Sequence, residues 1–214
     1  VTISAPFRGS SLKSFKGIQN NQGAVTFTPN SFKDCTELKT VQSYMANLSG
    51  PSIFENCYKL ESLDLTTGIT NNNNINTLWD KVFYNCKSLK SIDLTGIKTL
   101  KDNVFTRCES LENVDLSTVT TVGKECFYKC KNAKFTGTNG ITSAGAGSFS
   151  KCAKVNDYDF SALTSASIYG IFEDTIDFNG YVLVSGTKFS SDYSKASTDG
   201  KKSDIFKKIA IVFN

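Results

Sequence analysis

Seven cysteines and no histidine pose the first chemical question in this chain of 214 residues. Thiolates bind zinc, form disulfides or attack carbonyls, and each use demands particular neighbours. Without His, the usual Ser-His and Cys-His nucleophile pairs and His-assisted metal catalysis are excluded in their common forms. The close pair Cys126 and Cys130 stands four residues apart and lacks two further ligands for zinc. A second candidate chemistry is carboxylate: Asp64, Asp93, Asp115 and Asp159 each follow a Cys by seven residues. Repeated carboxylates at one place suit a basic partner or a divalent cation. Asp157 and Asp159 resemble an acid/base pair, but on one strand both point outward onto an open surface. Gly145-Ala146-Gly147-Ser148 lacks the Gly-Lys-Ser/Thr of a phosphate-binding loop and reads as a turn. Catalysis is not expected, nor any cofactor or metal.

The elements that must position these residues are written in a repeat. Phe and Cys recur three residues apart at Phe32/Cys35, Phe54/Cys57, Phe83/Cys86, Phe105/Cys108, Phe127/Cys130 and Phe149/Cys152, with Phe-to-Phe steps of 22, 29, 22, 22 and 22. A period near 22 residues defines a solenoid, in which each coil buries its apolar residues only by stacking on its neighbours. Apolar residues follow each Cys at three, six and eight places: Leu60, Leu63, Leu65; Leu89, Ile92, Leu94; Leu111, Val114, Leu116. The last two of each set share the strand period, so Ile92-Asp93-Leu94 is one short strand with Asp93 outward. Further apolar residues stand at Ile97 and Leu100, Val119 and Val122, Ile141 and Ala144. The spacing of Leu100, Val104, Phe105 and Cys108 predicts one or two helical or 3-10 turns with Phe and Cys facing inward.

Departures mark special places. The 29-residue step carries seven extra residues around Asn71-Asn72-Asn73-Asn74, expected to project as an edge loop. After Cys130, Phe135 occupies a normally outward site, so either that coil slips by one residue or Phe135 is exposed. After Cys152, Val155, Tyr158, Phe160, Leu163 and Ala166 keep the pattern, and Phe172 follows with Thr175 in the Cys place, as expected of a decaying cap. Leu12-Lys13-Ser14-Phe15 is a worn first coil within residues 1–29. Tyr181-Val182-Leu183-Val184 and Ile209-Ala210-Ile211-Val212-Phe213 are the last strand candidates, in a cap over 181–214. The whole of 1–214 reads as one elongated domain, with clear repeats over about 30–180.

The unit F-x-x-C-x-x-L-x-x-I-x-L, clearest in Phe83-Tyr84-Asn85-Cys86-Lys87-Ser88-Leu89-Lys90-Ser91-Ile92-Asp93-Leu94, resembles the leucine-rich repeats of the BspA-like class of bacterial and protist surface proteins. The resemblance implies an α/β right-handed solenoid, with a parallel β-sheet on the concave face and short helical or 3-10 turns on the convex side. It also implies a surface or secreted protein, since several such proteins are adhesins binding host matrix or other cells. That family has Pro after the strand and a unit of about 23 residues. Here Thr66, Thr95, Ser117 and Ser161 take the Pro place, marking a divergent branch.

Stacking sets neighbouring repeat cysteines at about one strand spacing, ~4.8 Å. Parallel side chains in register keep their Cβ atoms at that distance, beyond the ~3.5 to 4.5 Å of bridged pairs. Free buried thiols acting as small apolar residues are therefore expected, with disulfides as the alternative. The outward column reads Gln42, Asp64, Asp93, Asp115, Gly137, Asp159 and Val182. Adjacent carboxylates repel by about 0.9 kcal/mol at ~4.8 Å in water, a cost the fold itself does not require. One reading is an accessible acidic face for a partner; the other is a solvated residue copied by duplication.

A net charge of +4 does not make a nucleic-acid protein. Arg107, Lys124, Lys129, Lys131, Lys151 and Lys154 are scattered among Glu and Asn away from the strands, without stacking aromatics or a nucleic-acid motif. The chain starts at Val1 without a signal peptide and reads as a mature or trimmed segment. No apolar run approaches the ~18 residues needed to span a bilayer, so membrane attachment would use an anchor outside this segment. The expected function is non-catalytic protein binding at the cell surface or in secretion, toward extracellular matrix or a host surface. Asp64, Asp93, Asp115, Asp159 and Asn71, Asn72, Asn73, Asn74 are its candidate contacts. An intracellular interaction scaffold is the alternative, and a carbohydrate- or cation-binding module a third.

Overall fold

Apolar residues at two-residue spacing, bounded by Asp, Ser and Thr, fold into very short strands that stack in parallel from coil to coil. The structure, a computed structural model, describes residues 2–3, 5–17, 25–43, 46–64, 76–152, 158–164, 168–172, 182–185 and 209–212. Ser14–Lys16, Thr40–Gln42 and Ser62–Asp64 pair in parallel with Phe15, Val41 and Leu63 in register. Asn113–Asp115 pairs with Lys134–Thr136, and Tyr158–Asp159, Val182–Ser185 and Ile209–Val212 pair in series. Residues 91–94 lie outside regular pairing, yet the Lys90 N–H donates to the Glu61 carbonyl and the Glu112 N–H to that of Lys90. The solenoid expected from the period is therefore present, with very little helix.

Each coil does not stop at one strand. A second parallel ladder joins Thr77–Leu78, Thr99–Leu100, Thr121–Val122 and Ser143–Ala144, and another joins Thr2–Ile3, Val25–Phe27 and Ala46–Leu48. Leu78, Leu100, Val122 and Ala144 face the core while the preceding hydroxyl residue is half-buried. Two residues are too short a stretch to display a strand period, which is why the pattern in the sequence showed one strand per coil.

Over the Phe-x-x-Cys segments the predicted helical turns give way to chained tight turns. Among the described residues, all twelve non-glycine residues with positive φ stand two places before or after a ladder Phe, from Ala5 through Asn30, Asp34, Ser52, Asn56 and Lys81 to Lys151. The alternation turns every second N–H outward along the solenoid axis. Phe54 N–H donates to the Val82 carbonyl at 2.8 Å and Asn56 N–H to the Tyr84 carbonyl at 2.9 Å, while the N–H groups between them close local turns. A left-handed residue costs about 1–2 kcal/mol, and the inter-coil bond it permits offsets part of that cost. Asn and Asp at five of these sites reduce it further. Among the described residues the short helical elements are a 3-10 turn at Thr138–Gly140 and a single helical turn at Ile168–Ile171.

Inside, the phenylalanines form one column. Phe32 stacks on Phe54 at 5.2 Å, Phe54 on Phe83 at 5.5 Å, Phe83 on Phe105 at 5.4 Å and Phe105 on Phe127 at 5.3 Å, with planes within 9° of parallel. Each pair adds about 0.5–1.5 kcal/mol beyond the area it buries. Phe7 extends the column below Phe32 at 5.1 Å and Phe172 caps it beyond Phe149 at 5.8 Å. The first coil thus begins at Phe7, with Ser10 in the Cys place, earlier than the Leu12 to Phe15 stretch indicates.

The two alternatives for Phe135 resolve in favour of the slip. Phe135 pairs with Val114 and is buried, its ring set edge-on against Phe127 at 4.8 Å and Phe149 at 5.0 Å. Gly137, at φ 67°, absorbs the lost residue and returns Thr138 to the core. A Cβ on Gly137 would lie 2.5 Å from the Ser117 nitrogen, so only Gly fits.

Candidate partner-binding face

The strand ladder turns the middle residue of each three-residue strand, such as Val41, Val114 and Phe135, to the core and carries the carboxylates on the other side. Gln42 is in register with Asp64, and its Nε2 donates to Asp64 Oδ2 at 3.4 Å. The coils bearing Asp64, Asp93 and Asp115 are consecutive, and all three residues are exposed. The slip alters the next place: Asp115 faces Thr136, not Gly137. Asp159 is in register with Leu183 rather than Val182. The acidic run is therefore three coils long, bounded by Gln42 and Thr136, with half-buried Asp159 set apart from it. Asn71, Asn72, Asn73 and Asn74 lie outside the described residues.

Three of these carboxylates have a local task that the column alone did not reveal. Asp93 Oδ1 accepts from the Thr95 N–H, Asp115 Oδ1 from the Ser117 N–H and Asp159 Oδ1 from the Ser161 N–H, each at 2.9 Å. This is the turn in which an Asp side chain binds the backbone two residues on, ending the strand. Its signal in the sequence is the repeated Asp-x-Ser/Thr, where the hydroxyl residue takes the Pro place. The Thr95 N–H, helped by its hydroxyl, holds the Asp93 carboxyl below the usual carboxylate range. One oxygen of each carboxylate is engaged in this way, and the group still stands on the surface with Ser or Thr beside it.

On the turn side, charges are arranged across coils. Lys33 meets Glu55 at 2.9 Å, Lys59 meets Glu37 at 2.7 Å and Lys131 meets Glu109 at 3.3 Å. The Lys59 hydrogen bond lowers the Glu37 carboxyl below its ordinary range. Asp80 Oδ1 accepts from the Asp102 N–H, and Asp102 Oδ1 from the Lys124 N–H, so these two acids also serve the backbone.

The thiols are all free and buried. Each repeat Cys Sγ–H donates to the carbonyl of the Phe one coil earlier: Cys35 to Phe7, Cys57 to Phe32, Cys86 to Phe54, Cys108 to Phe83, Cys130 to Phe105 and Cys152 to Phe127. They are more than small apolar fillers, because each satisfies a second lone pair on a core carbonyl. Burial pushes the Cys152 thiol up to about 12 and holds the Cys57, Cys86, Cys108, Cys126 and Cys130 thiols well above the usual thiol range. None of these is a nucleophile at neutral pH. Among the described residues no cluster of three or more His, Cys, Asp or Glu could hold a metal ion. No helix of the described residues is long and apolar enough to cross a membrane.

Parallel strands stacked at a fixed period, with a column of core Phe and Leu and an outward polar column, define a leucine-rich-repeat solenoid. The chain belongs to the BspA type leucine-rich repeat family, whose model of six copies matches residues 4–95 and 76–194. Among solved structures, a leucine-rich repeat protein from Bacteroides ovatus ATCC 8483 superposes with a TM-score of 0.59 and 24% identity, over 83% of this chain and 44% of that one. A leucine rich cell surface protein from Faecalibacterium prausnitzii A2-165 gives a TM-score of 0.46 at 15% identity, over 81% of this chain and 64% of that one. This chain thus spans less than two thirds of either. No curated protein matches it. The family is a repeat fold used for protein interaction and is generally non-catalytic.

Proposed function

We propose that this chain is a non-catalytic, adhesin-like binding domain displayed at the cell surface or secreted, contacting host or neighbouring-cell proteins, extracellular matrix among them. Asp64, Asp93 and Asp115 form its central contact, and Asp159, Asn71, Asn72, Asn73 and Asn74 are its further contacts. The observation that carries this reading is the run of exposed carboxylates on three consecutive coils. Hydrogen bonding to the next turn accounts for one oxygen of Asp93 and one of Asp115 and leaves their charge outward. A basic partner segment laid along the column would relieve the mutual repulsion of the carboxylates, which gives the binding both orientation and salt dependence. The surface location draws on the resemblance to BspA-like surface proteins.

A second reading, an intracellular scaffold, draws on the free thiols, which suit a reducing compartment. One experiment addresses both. Surface-exposed and cytosolic protein pools are offered separately to the wild type and to an Asp64→Asn, Asp93→Asn, Asp115→Asn variant at low and high salt. Asn retains the oxygen that accepts from the next turn, so the variant removes charge while keeping the fold. An extracellular protein retained by the wild type and lost with salt or with the variant is expected. Retention of cytosolic proteins alone, unaffected by the variant, would sink the adhesin reading and favour the scaffold.

A further inference from the structure

We propose that the turn side of the later coils carries a second binding site, for a linear sulfated polysaccharide, built on Arg107, Lys129 and Lys151. It is independent of the acidic strand face.

The second residue after each ladder Phe forms a column running along the solenoid axis: Asp34, Asn56, Asn85, Arg107, Lys129 and Lys151. Its first half is sewn together by side chains, with Asn56 Nδ2 donating to Asp34 Oδ1 at 2.9 Å and Asn85 Nδ2 to Asn56 Oδ1 at 3.1 Å. Its second half changes chemistry. Arg107, Lys129 and Lys151 share the left-handed backbone, with φ of 62°, 63° and 57°. Their coils are locked in register by the Arg107 N–H on the Tyr128 carbonyl at 2.7 Å and the Lys129 N–H on the Ser150 carbonyl at 3.0 Å. Identical backbone and register send three cationic side chains out in one line, about one strand spacing (~4.8 Å) apart.

Some turn-side cations meet a carboxylate of the adjacent coil, as Lys33 meets Glu55 and Lys131 meets Glu109. Among the described residues Arg107 and Lys129 make no such pair, although both are half-buried. The ammonium groups of Lys129 and Lys151 lie over the Tyr128 ring, 5.3 and 5.6 Å from its centre. That ring holds the two heads together, and because it is occupied it is no stacking platform for a nucleobase. A straight row of like charges, two coil spacings or ~10 Å long, fits a linear polyanion laid along the axis. With the ring beside the row covered by its own lysines, the chemistry favours a sulfated sugar chain over a nucleic acid.

The test uses the full 214-residue chain and a size-defined heparin octasaccharide as the probe, titrated at low and at physiological salt. Arg107→Asn, Lys129→Asn and Lys151→Asn are combined in one variant, since Asn already occupies this column at 56 and 85. A control variant removes three exposed lysines of the strand side, Lys39→Gln, Lys90→Gln and Lys134→Gln. Salt-sensitive binding that weakens about tenfold in the first variant and stays unchanged in the control is expected. Three outcomes overturn the proposal: no binding at low salt; equal loss in both variants, or none in the first; or single-stranded DNA, or the same octasaccharide stripped of sulfate, binding as tightly as the probe.

Discussion

The thiol of Cys57 donates a hydrogen bond to the carbonyl oxygen of Phe32, 3.0 Å away in the coil before it. The same oxygen accepts the Cys35 N–H at 3.1 Å, so both of its lone pairs are used inside the core. Each coil repeats this arrangement, tying the turn that carries one Phe to the thiol of the next. A buried carbonyl near a solenoid's axis has no water to turn to, and a thiol is the smallest side chain that can reach it while filling apolar space.

Removing one of these thiols is expected to cost more than its volume. Cys108→Ala loses the bond to the Phe83 carbonyl and leaves a small void, for a loss of about 1–3 kcal/mol. Cys108→Ser keeps a donor and is expected to lose less. Urea unfolding of the two variants checks this, and a Ser variant no more stable than Ala would show that the hydrogen bond contributes nothing.

Alkali is expected to destabilise the fold steeply. Burial raises the Cys57, Cys86, Cys108, Cys126, Cys130 and Cys152 thiols, Cys152 to about 12, while an unfolded thiol ionises near ~8.5. The native state thus holds more protons, and stability present below the unfolded value falls as pH climbs from there toward the folded one. Urea midpoints between pH 7 and 11 should decline from pH ~8.5 upward, and less steeply in Cys152→Ala.

Asp93 gives the opposite sign at the acid end. Its carboxyl is held low by the Thr95 N–H, so its contribution is present above the ordinary carboxylate pKa and is lost as pH falls through the lowered folded value. The stability difference between wild type and Asp93→Asn should be constant near neutrality and shrink below pH ~4. A difference unchanged down to pH ~2 would contradict the turn as the source of the shift.

Gly137→Ala is expected to be among the most damaging small substitutions. The added methyl must hold a left-handed φ of 67° and meets the Ser117 backbone nitrogen at 2.5 Å. The two effects together call for a loss of about 2–4 kcal/mol. Gly140→Ala, with nothing nearer than 3.7 Å, is the matched control. Thermal melts of the pair separate local crowding from a general intolerance of Ala.

The sequence by itself determined the repeat, because stacking identical coils requires the same apolar residue at the same place in every coil. Phe32 through Phe149, Leu60, Leu89, Leu111 and the repeat cysteines are fully buried where that rule puts them. Tertiary structure decided whatever depends on which coil lies beside which. The slip at Phe135 was visible as a conflict but needed the pairing with Val114 to resolve it. The second strands were hidden because two residues carry no period. Left-handed turns were mistaken for helix because Phe and Cys three residues apart face inward in both. The thiol-to-carbonyl bonds and the Arg107, Lys129 and Lys151 row join residues more than twenty positions apart. A list of neighbours along the chain holds no such information, since hydrogen bonds and charge act through distance in space.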